Sequence, residues 1–125
     1  MATRLFPMLS CGDLERSLAF YRDLLGGVEA YRFPEQGAPE FMVLRIGESE
    51  IGLGPVAAQP LHGRPQRPAT GHRMELCVYV DDVDAVFARA SADGFEAVAD
   101  PAETPWGERT AWLADPDGNL VMLTG

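Results

Sequence analysis

Few residues of this 125-residue chain could do chemistry. Its two histidines, His62 and His72, flank a proline-rich stretch, and no spacing argues a partner for either. Ser10, Ser17, Ser49 and Ser91 sit in no nucleophile motif. Cys11 and Cys77 fall in expected strands, as buried reduced thiols rather than a disulfide or a metal pair. What remains is one notable carboxylate, Glu75, and a large stock of aromatic and methionine side chains. Alternation along the expected strands puts Phe6, Met8 and Ser10 on one face of the first. It puts Glu75, Cys77 and Tyr79 on that face of the fifth, and Leu120, Met122 and Thr124 on that of the last. Trp112 joins them from the seventh strand, and Tyr31, Phe33 and Phe41 from the second and third. Trp106 stands at a Pro105–Gly107 corner, where its neighbours expose it.

A surface of this composition stacks on flat π systems and adapts to irregular apolar shapes. The competing reading is that the rings fill a small core, as Phe20, Tyr21, Phe87 and Phe95 are expected to do. Glu75 is the one charge expected in that apolar setting, where a carboxylate is costly unless paired or hydrogen-bonded. It serves either a ligand, as acceptor or counter-charge, or the fold, through Arg73, Arg45 or Arg109. Arg64 and Arg67, in the proline-rich stretch, either close over a bound molecule or stay solvated.

The elements that must position these residues read in order. Leu5 to Cys11 is a first strand, with Pro7 inside it, which suits an edge or an exchanged arm. Asp13 caps a helix whose Leu14, Leu18, Tyr21, Leu24 and Leu25 form a buried stripe, closed by Gly26-Gly27. Val28 to Phe33 is a second strand, and Phe41 to Ile46 with Ile51 to Leu53 makes a hairpin. Residues 55–72 hold Pro55, Pro60, Pro65 and Pro68 without periodicity and read as a linker or flap. Met74 to Val80 resumes as a strand. Asp82 caps a second helix, with Val83, Val86, Phe87 and Ala90 inward and Gly94 at its end. Phe95 to Ala99 is a strand, Pro101 to Pro105 a turn, and Thr110 to Leu113 and Leu120 to Leu123 form a hairpin around Asp115-Pro116-Asp117-Gly118. The two halves therefore match: a βαβββ unit over about residues 4–54 recurs over 73–125. The expected class is α+β, one domain of paired βαβββ modules whose curved mixed sheet carries a concave ligand cleft.

Composition excludes several functions. Ten Lys+Arg against nineteen Asp+Glu give a formal charge of −9, so the basic footprint that nucleic acid needs is missing. The first residues contain no signal-peptide pattern, and no apolar run approaches the ~20 residues that span a bilayer. A cytoplasmic location follows as an expectation.

The segments GDLERSLAFYRDLLGG, VYVDDVDAV and ADPDGNLVML resemble the vicinal oxygen chelate superfamily of glyoxalases, bleomycin-resistance proteins and extradiol dioxygenases. FPMLSCGDL and PWGERTAWLADPDGN are similar to the bleomycin-resistance type, which the resemblance makes the closest in kind. It implies a homodimer, by sheet association or N-terminal strand exchange, with the clefts at the subunit interface. It also implies a tryptophan at the place of Trp106 that stacks on a drug.

Metal-dependent members of that superfamily carry one ligand on each of four strands. On this sequence those positions fall on Phe6, Gly52 (or Glu50, two residues away), Glu75 and Met122. A phenyl ring cannot donate, and a thioether is a poor ligand for hard or borderline ions. The expectation is therefore no metal, no cofactor and no catalysis. The resemblance then implies stoichiometric sequestration of a bulky aromatic natural product or antibiotic, through Phe6, Met8, Tyr31, Phe33, Phe41, Glu75, Cys77, Tyr79, Trp106, Trp112 and Met122. The rival is a metal-dependent isomerase, lyase or dioxygenase using Glu75 and Glu50. A third reading is an accessory protein that binds a pathway intermediate.

Overall fold

A computed structural model describes residues 1–68, 70–72 and 74–125. Arg73, one of the expected partners of Glu75, lies outside the described residues. The elements are β1 (Met8–Cys11), α1 (Leu14–Leu18, running on as a π-helical turn over Ala19–Leu24), β2 (Val28–Phe33), β3 (Phe41–Ile46), β4 (Ser49–Pro55), β5 (Glu75–Tyr79), α2 (Val83–Ala92), β6 (Glu96–Glu103), β7 (Arg109–Ala114) and β8 (Leu120–Thr124). Hydrogen bonding divides the strands into two sheets of four, ordered β1-β4-β3-β2 and β5-β8-β7-β6. In each, the first strand runs parallel to the fourth and the other pairings are antiparallel. The topology of the first half is thus repeated, element for element, in the second. The chain divides into two compact units, Met1–Arg67 and Pro68–Gly125.

Each unit has its own helix cap and its own packed face. Asp13 accepts a hydrogen bond from the Arg16 amide at 3.1 Å, and Asp82 one from the Ala85 amide at 3.0 Å. Both are extended N-cap residues that satisfy a first-turn donor. In the first unit the buried side chains include Leu18, Phe20, Tyr21 and Leu24 from the helix, with Met42, Leu44, Ile51 and Leu53 from β3 and β4. The register pairs Met42 with Leu53 and Leu44 with Ile51, so these four share one face of the sheet. In the second unit Val83 and Ala90 of α2 are buried, as are Ala111, Leu113, Val121 and Leu123 of the sheet. Phe20, Tyr21 and Phe95 are core residues, as their helical and strand positions imply, while Phe87 is half-buried.

The turn before β8 is built by one carboxylate. Buried Asp115 accepts from the amides of Asp117 and Asn119 at 2.9 and 2.8 Å and from the Asn119 side-chain amide at 2.8 Å. Gly118 takes φ of 84°, the left-handed value that only glycine adopts at no steric cost.

The boundaries of β1 and β6 differ most from the sequence reading. The first strand begins at Met8, not Leu5; Pro7 precedes it and contributes only its carbonyl, which accepts from the Gly52 amide. Residues 101–103 are not a turn: β6 continues through Pro101 to Glu103. Proline is tolerated there because β6 is an edge strand and its register shifts between Ala99 and Ala102, so no ladder donor is required of it. The actual turn is tighter and later, closed by the Gly107 amide donating to the Thr104 carbonyl at 3.1 Å.

Candidate functional site

In the first unit, the sheet face away from the helix is where the expected binding residues gather. The register aligns Met8 with Gly52, Gly52 with Val43 and Val43 with Tyr31, so one row crosses all four strands. Phe33 pairs with Phe41 beside it. An open groove of ≈ 620 Å³ runs along this face, lined by Arg4, Phe6, Ala30, Tyr31, Phe33, Phe41, Val43 and Glu50. Four of the predicted binding residues, Phe6, Tyr31, Phe33 and Phe41, line it, and Met8 lies alongside over Gly52. The Tyr31 and Phe41 rings are 5.9 Å apart and tilted by 54°. Tyr31 and Phe33 leave about half of their surface open, 53% and 52%. Such a wall of half-exposed rings has apolar area to cover and no partner in its own unit that covers it.

Gly52 shows how fully the row is filled. A Cβ there would run into Met8 Sδ and come within 3.1 Å of Phe6 Cε2 and 3.2 Å of Phe41 Cε2. The alternative carboxylate, Glu50, faces the same groove and is already paired. Its Oε2 accepts from Arg4 Nε at 2.6 Å and also from Arg4 Nη2. The same guanidinium lies 4.8 Å over the Phe6 ring, a cation–π contact. Arg4 was not anticipated; it precedes the first strand, where alternation gives no guidance.

In the second unit the corresponding face carries the rest of the predicted set. Cys77 pairs with Met122 and Met122 with Trp112, so these three form a row, flanked by Glu75 opposite Leu120 and by Tyr79 opposite Thr124. Trp112 thus faces as expected, and both it and Met122 are half-buried. Two expectations are corrected. Cys77 is exposed, not buried, whereas Cys11 is buried, and neither is in a disulfide. Glu75 is exposed as well, because β5 is an edge strand and no layer among the described residues of this unit covers its open face. Nor does Arg109 neutralise it: that guanidinium turns to Asp84, at 2.5 and 2.8 Å, and to Glu103 at 3.4 Å. Arg45 lies on β3 opposite Glu50 in register.

Glu108 was missed and belongs to this face. It accepts from Thr124 Oγ1 at 3.1 Å. Burial, then the negative charges of Glu108 and Glu75, push the Cys77 thiol up from its ordinary value. The Glu108 charge is the first cause raising the Tyr79 phenol. Alternation held the signal, since Glu108 is two residues before Thr110 and four before Trp112. Trp106 sits apart from the row, at the tip of the Thr104–Gly107 turn, with 65% of its surface open. In the proline-rich stretch, His62 Nδ1 accepts from the Arg64 amide at 3.1 Å, and Arg64, Arg67 and His72 are exposed.

The metal positions of the resemblance do not fit a divalent ion. Phe6 and Met122 offer no suitable donor, Gly52 has no room for one, and Glu50 is held by Arg4. Among the described residues no group of three or more His, Cys, Asp or Glu could hold a metal ion. No helix among them is long and apolar enough to cross a membrane.

The repeated strand order and the open faces define a glyoxalase-like α+β protein. Residues 5–123 match the model of the Glyoxalase/Bleomycin resistance protein/Dioxygenase superfamily, and the chain belongs to that superfamily. The mycobacterial "Putative glyoxylase CFP32" of Mycobacterium bovis is 32% identical over 107 residues, covering 86% of this chain; the chain spans only 38% of that relative's length. The hypothetical protein SA1046 of S. aureus superposes with a TM-score of 0.80 at 21% identity, covering 99% of this chain and 94% of that one. TioX of Micromonospora sp. ML1 does so with 0.73 at 22%, covering 98% and 94%. At these identities the two structures speak for the fold alone.

Proposed function

We propose that this protein binds and sequesters a bulky, flat aromatic natural product without transforming it, acting as a homodimer. One observation carries the reading. Of the two β4 positions that the resemblance offers for a metal donor, Gly52 has Met8, Phe6 and Phe41 packed over it and Glu50 is held by Arg4. The polar centre of a catalytic face is replaced by thioether and ring, and these are groups that stack and adapt rather than polarise a substrate. The groove volume falls in the range of small-molecule sites, roughly 300–1,000 Å³. The rival enzyme, built on Glu75 and Glu50 around a divalent ion, would first have to break the Arg4–Glu50 pair.

Titration with a panel of aromatic antibiotics, followed by the fluorescence of Trp106 and Trp112, tests the proposal. Saturable quenching at sub-micromolar ligand, with the compound recovered unchanged and no stoichiometric metal in the protein, is the expected result. A tightly held ion, or turnover of the compound, would sink it. Trp106→Ala is expected to weaken quenching if the exposed ring stacks on the ligand.

A further inference from the structure

The Arg4–Glu50 pair has polar capacity left over. Both Arg4 donors that reach Glu50, Nε and Nη2, converge on a single oxygen, Oε2. Among the described residues neither Arg4 Nη1 nor Glu50 Oε1 has a protein partner. The pair therefore keeps an N–H donor and a carboxylate acceptor on two residues that line the groove, against rings on the remaining walls. The guanidinium is held from two directions, by the carboxylate and by the Phe6 ring 4.8 Å away. The side chain is 57% exposed, and these two contacts orient it, which lowers the cost of a further hydrogen bond. Net charge across the pair is zero, so the site favours neither anion nor cation; it favours adjacent acceptor and donor groups on one molecule.

We infer that Arg4 and Glu50 read the polar edge of a flat aromatic ligand, with Arg4 Nη1 donating to a carbonyl oxygen and Glu50 Oε1 accepting from a neighbouring hydroxyl. A hydroxyquinone or hydroxyaryl ketone is the matching class. The inference rests on the sequestration reading and adds to it a ligand chemistry and two specificity-determining residues. Aromatic stacking alone tolerates any flat ring; the pair selects among them, because a ring lacking the edge oxygens would leave both groups desolvated and unpaired.

The test compares two tricyclic sulfonates of similar size: alizarin red S, a hydroxyanthraquinone, and anthracene sulfonate, which lacks ring oxygens. Calorimetric titration is run on the wild type, Arg4→Met and Glu50→Met, which removes both carboxylate oxygens, in high salt that screens the charge each substitution unmasks. Each substitution should weaken alizarin red S about tenfold, the factor carried by one hydrogen bond to a charged group. Anthracene sulfonate should change by less than about twofold, since stacking is unaltered. Equal weakening of both probes, or of neither, overturns the inference and leaves the sequestration reading standing. Failure of both probes to bind the wild type overturns both, whereas binding of alizarin red S alone supports the inference. A change of sedimenting mass in Arg4→Met, with probe affinity intact, would mean that a second copy of the chain covers the pair, and would overturn the inference too. Both residues line the groove, and the thermal midpoint checks that the fold is kept.

Discussion

Gly52 on β4 faces Met8 on β1 across the parallel pairing, and the Met8 sulfur occupies the space that a side chain at 52 would need. The glycine is required by close approach rather than by backbone conformation, since its φ is not positive. Gly52→Ala should therefore cost about 1 kcal/mol, the low end of overpacking, because half-exposed Met8 can swing partly aside. In a Met8→Ala background the cost should fall below about 0.5 kcal/mol, leaving only the tighter-than-usual ring contacts. Urea unfolding of the four proteins in this cycle measures the coupling. Equal cost in both backgrounds would show that Met8 is not what fills the site.

Asp115 is the second point where one side chain decides local structure. It is buried and holds three donors that otherwise face no acceptor within the turn. Asp115→Ala should cost about 2 kcal/mol, because hydrogen bonds to a charged acceptor are strong, while the amides of exposed Asp117 and half-buried Asn119 turn partly to water. Asn119→Ala removes one donor and no acceptor, so about 1 kcal/mol is expected. Thermal or urea unfolding compares them; a smaller loss for Asp115 than for Asn119 would refute the assignment of the carboxylate as organiser.

The helix caps offer a matched comparison. Asp13→Ala and Asp82→Ala each remove one acceptor from a first-turn amide and should each cost about 1 kcal/mol. Asp13→Asn and Asp82→Asn should retain most of it, since asparagine caps nearly as well. Far-ultraviolet circular dichroism during urea unfolding gives both numbers. Loss of neither would leave the caps as geometry without energetic weight.

What could be read from the sequence, and what could not, follows from the range of the forces involved. Asp13, Asp82, Gly26, Gly94 and the Asp115–Gly118 turn act within a few residues, so their types and spacing declared the repeat and nearly every element. Alternation likewise assigned Phe6, Tyr31, Phe33, Trp112 and Met122 to open faces. Glu108 escaped although alternation held its signal, and three further things had no local signal. The continuation of β6 through Pro101 depends on its being an edge strand, which is a property of strand order. The exposure of Glu75 and Cys77 depends on β5 lying at the other edge. Arg4 reaches Glu50 across 46 positions of chain, and nothing local to either residue records the pairing.

Cys77 supplies a prediction in pH. The residue is exposed, but partial desolvation of its thiol, then the charges of Glu108 and Glu75, hold it above the ordinary value. A raised thiol pKa means less thiolate at any pH below it, and the thiolate is the nucleophile. Alkylation by iodoacetamide at mildly alkaline pH should therefore be slower for Cys77 than for a free cysteine, and its rate should keep rising at a pH where the free thiol has levelled off. Glu108→Gln removes the larger of the two charges named, so the rate profile should move to lower pH and the reaction at fixed pH should quicken. Cys11, at 1% exposure, should react only on unfolding. Mass spectrometry of the peptides separates the two sites. If the Cys77 profile matches that of a free thiol and ignores Glu108, then the carboxylate is not close enough to act on it, and the polar cluster of Glu108, Thr124 and Tyr79 does not form in solution.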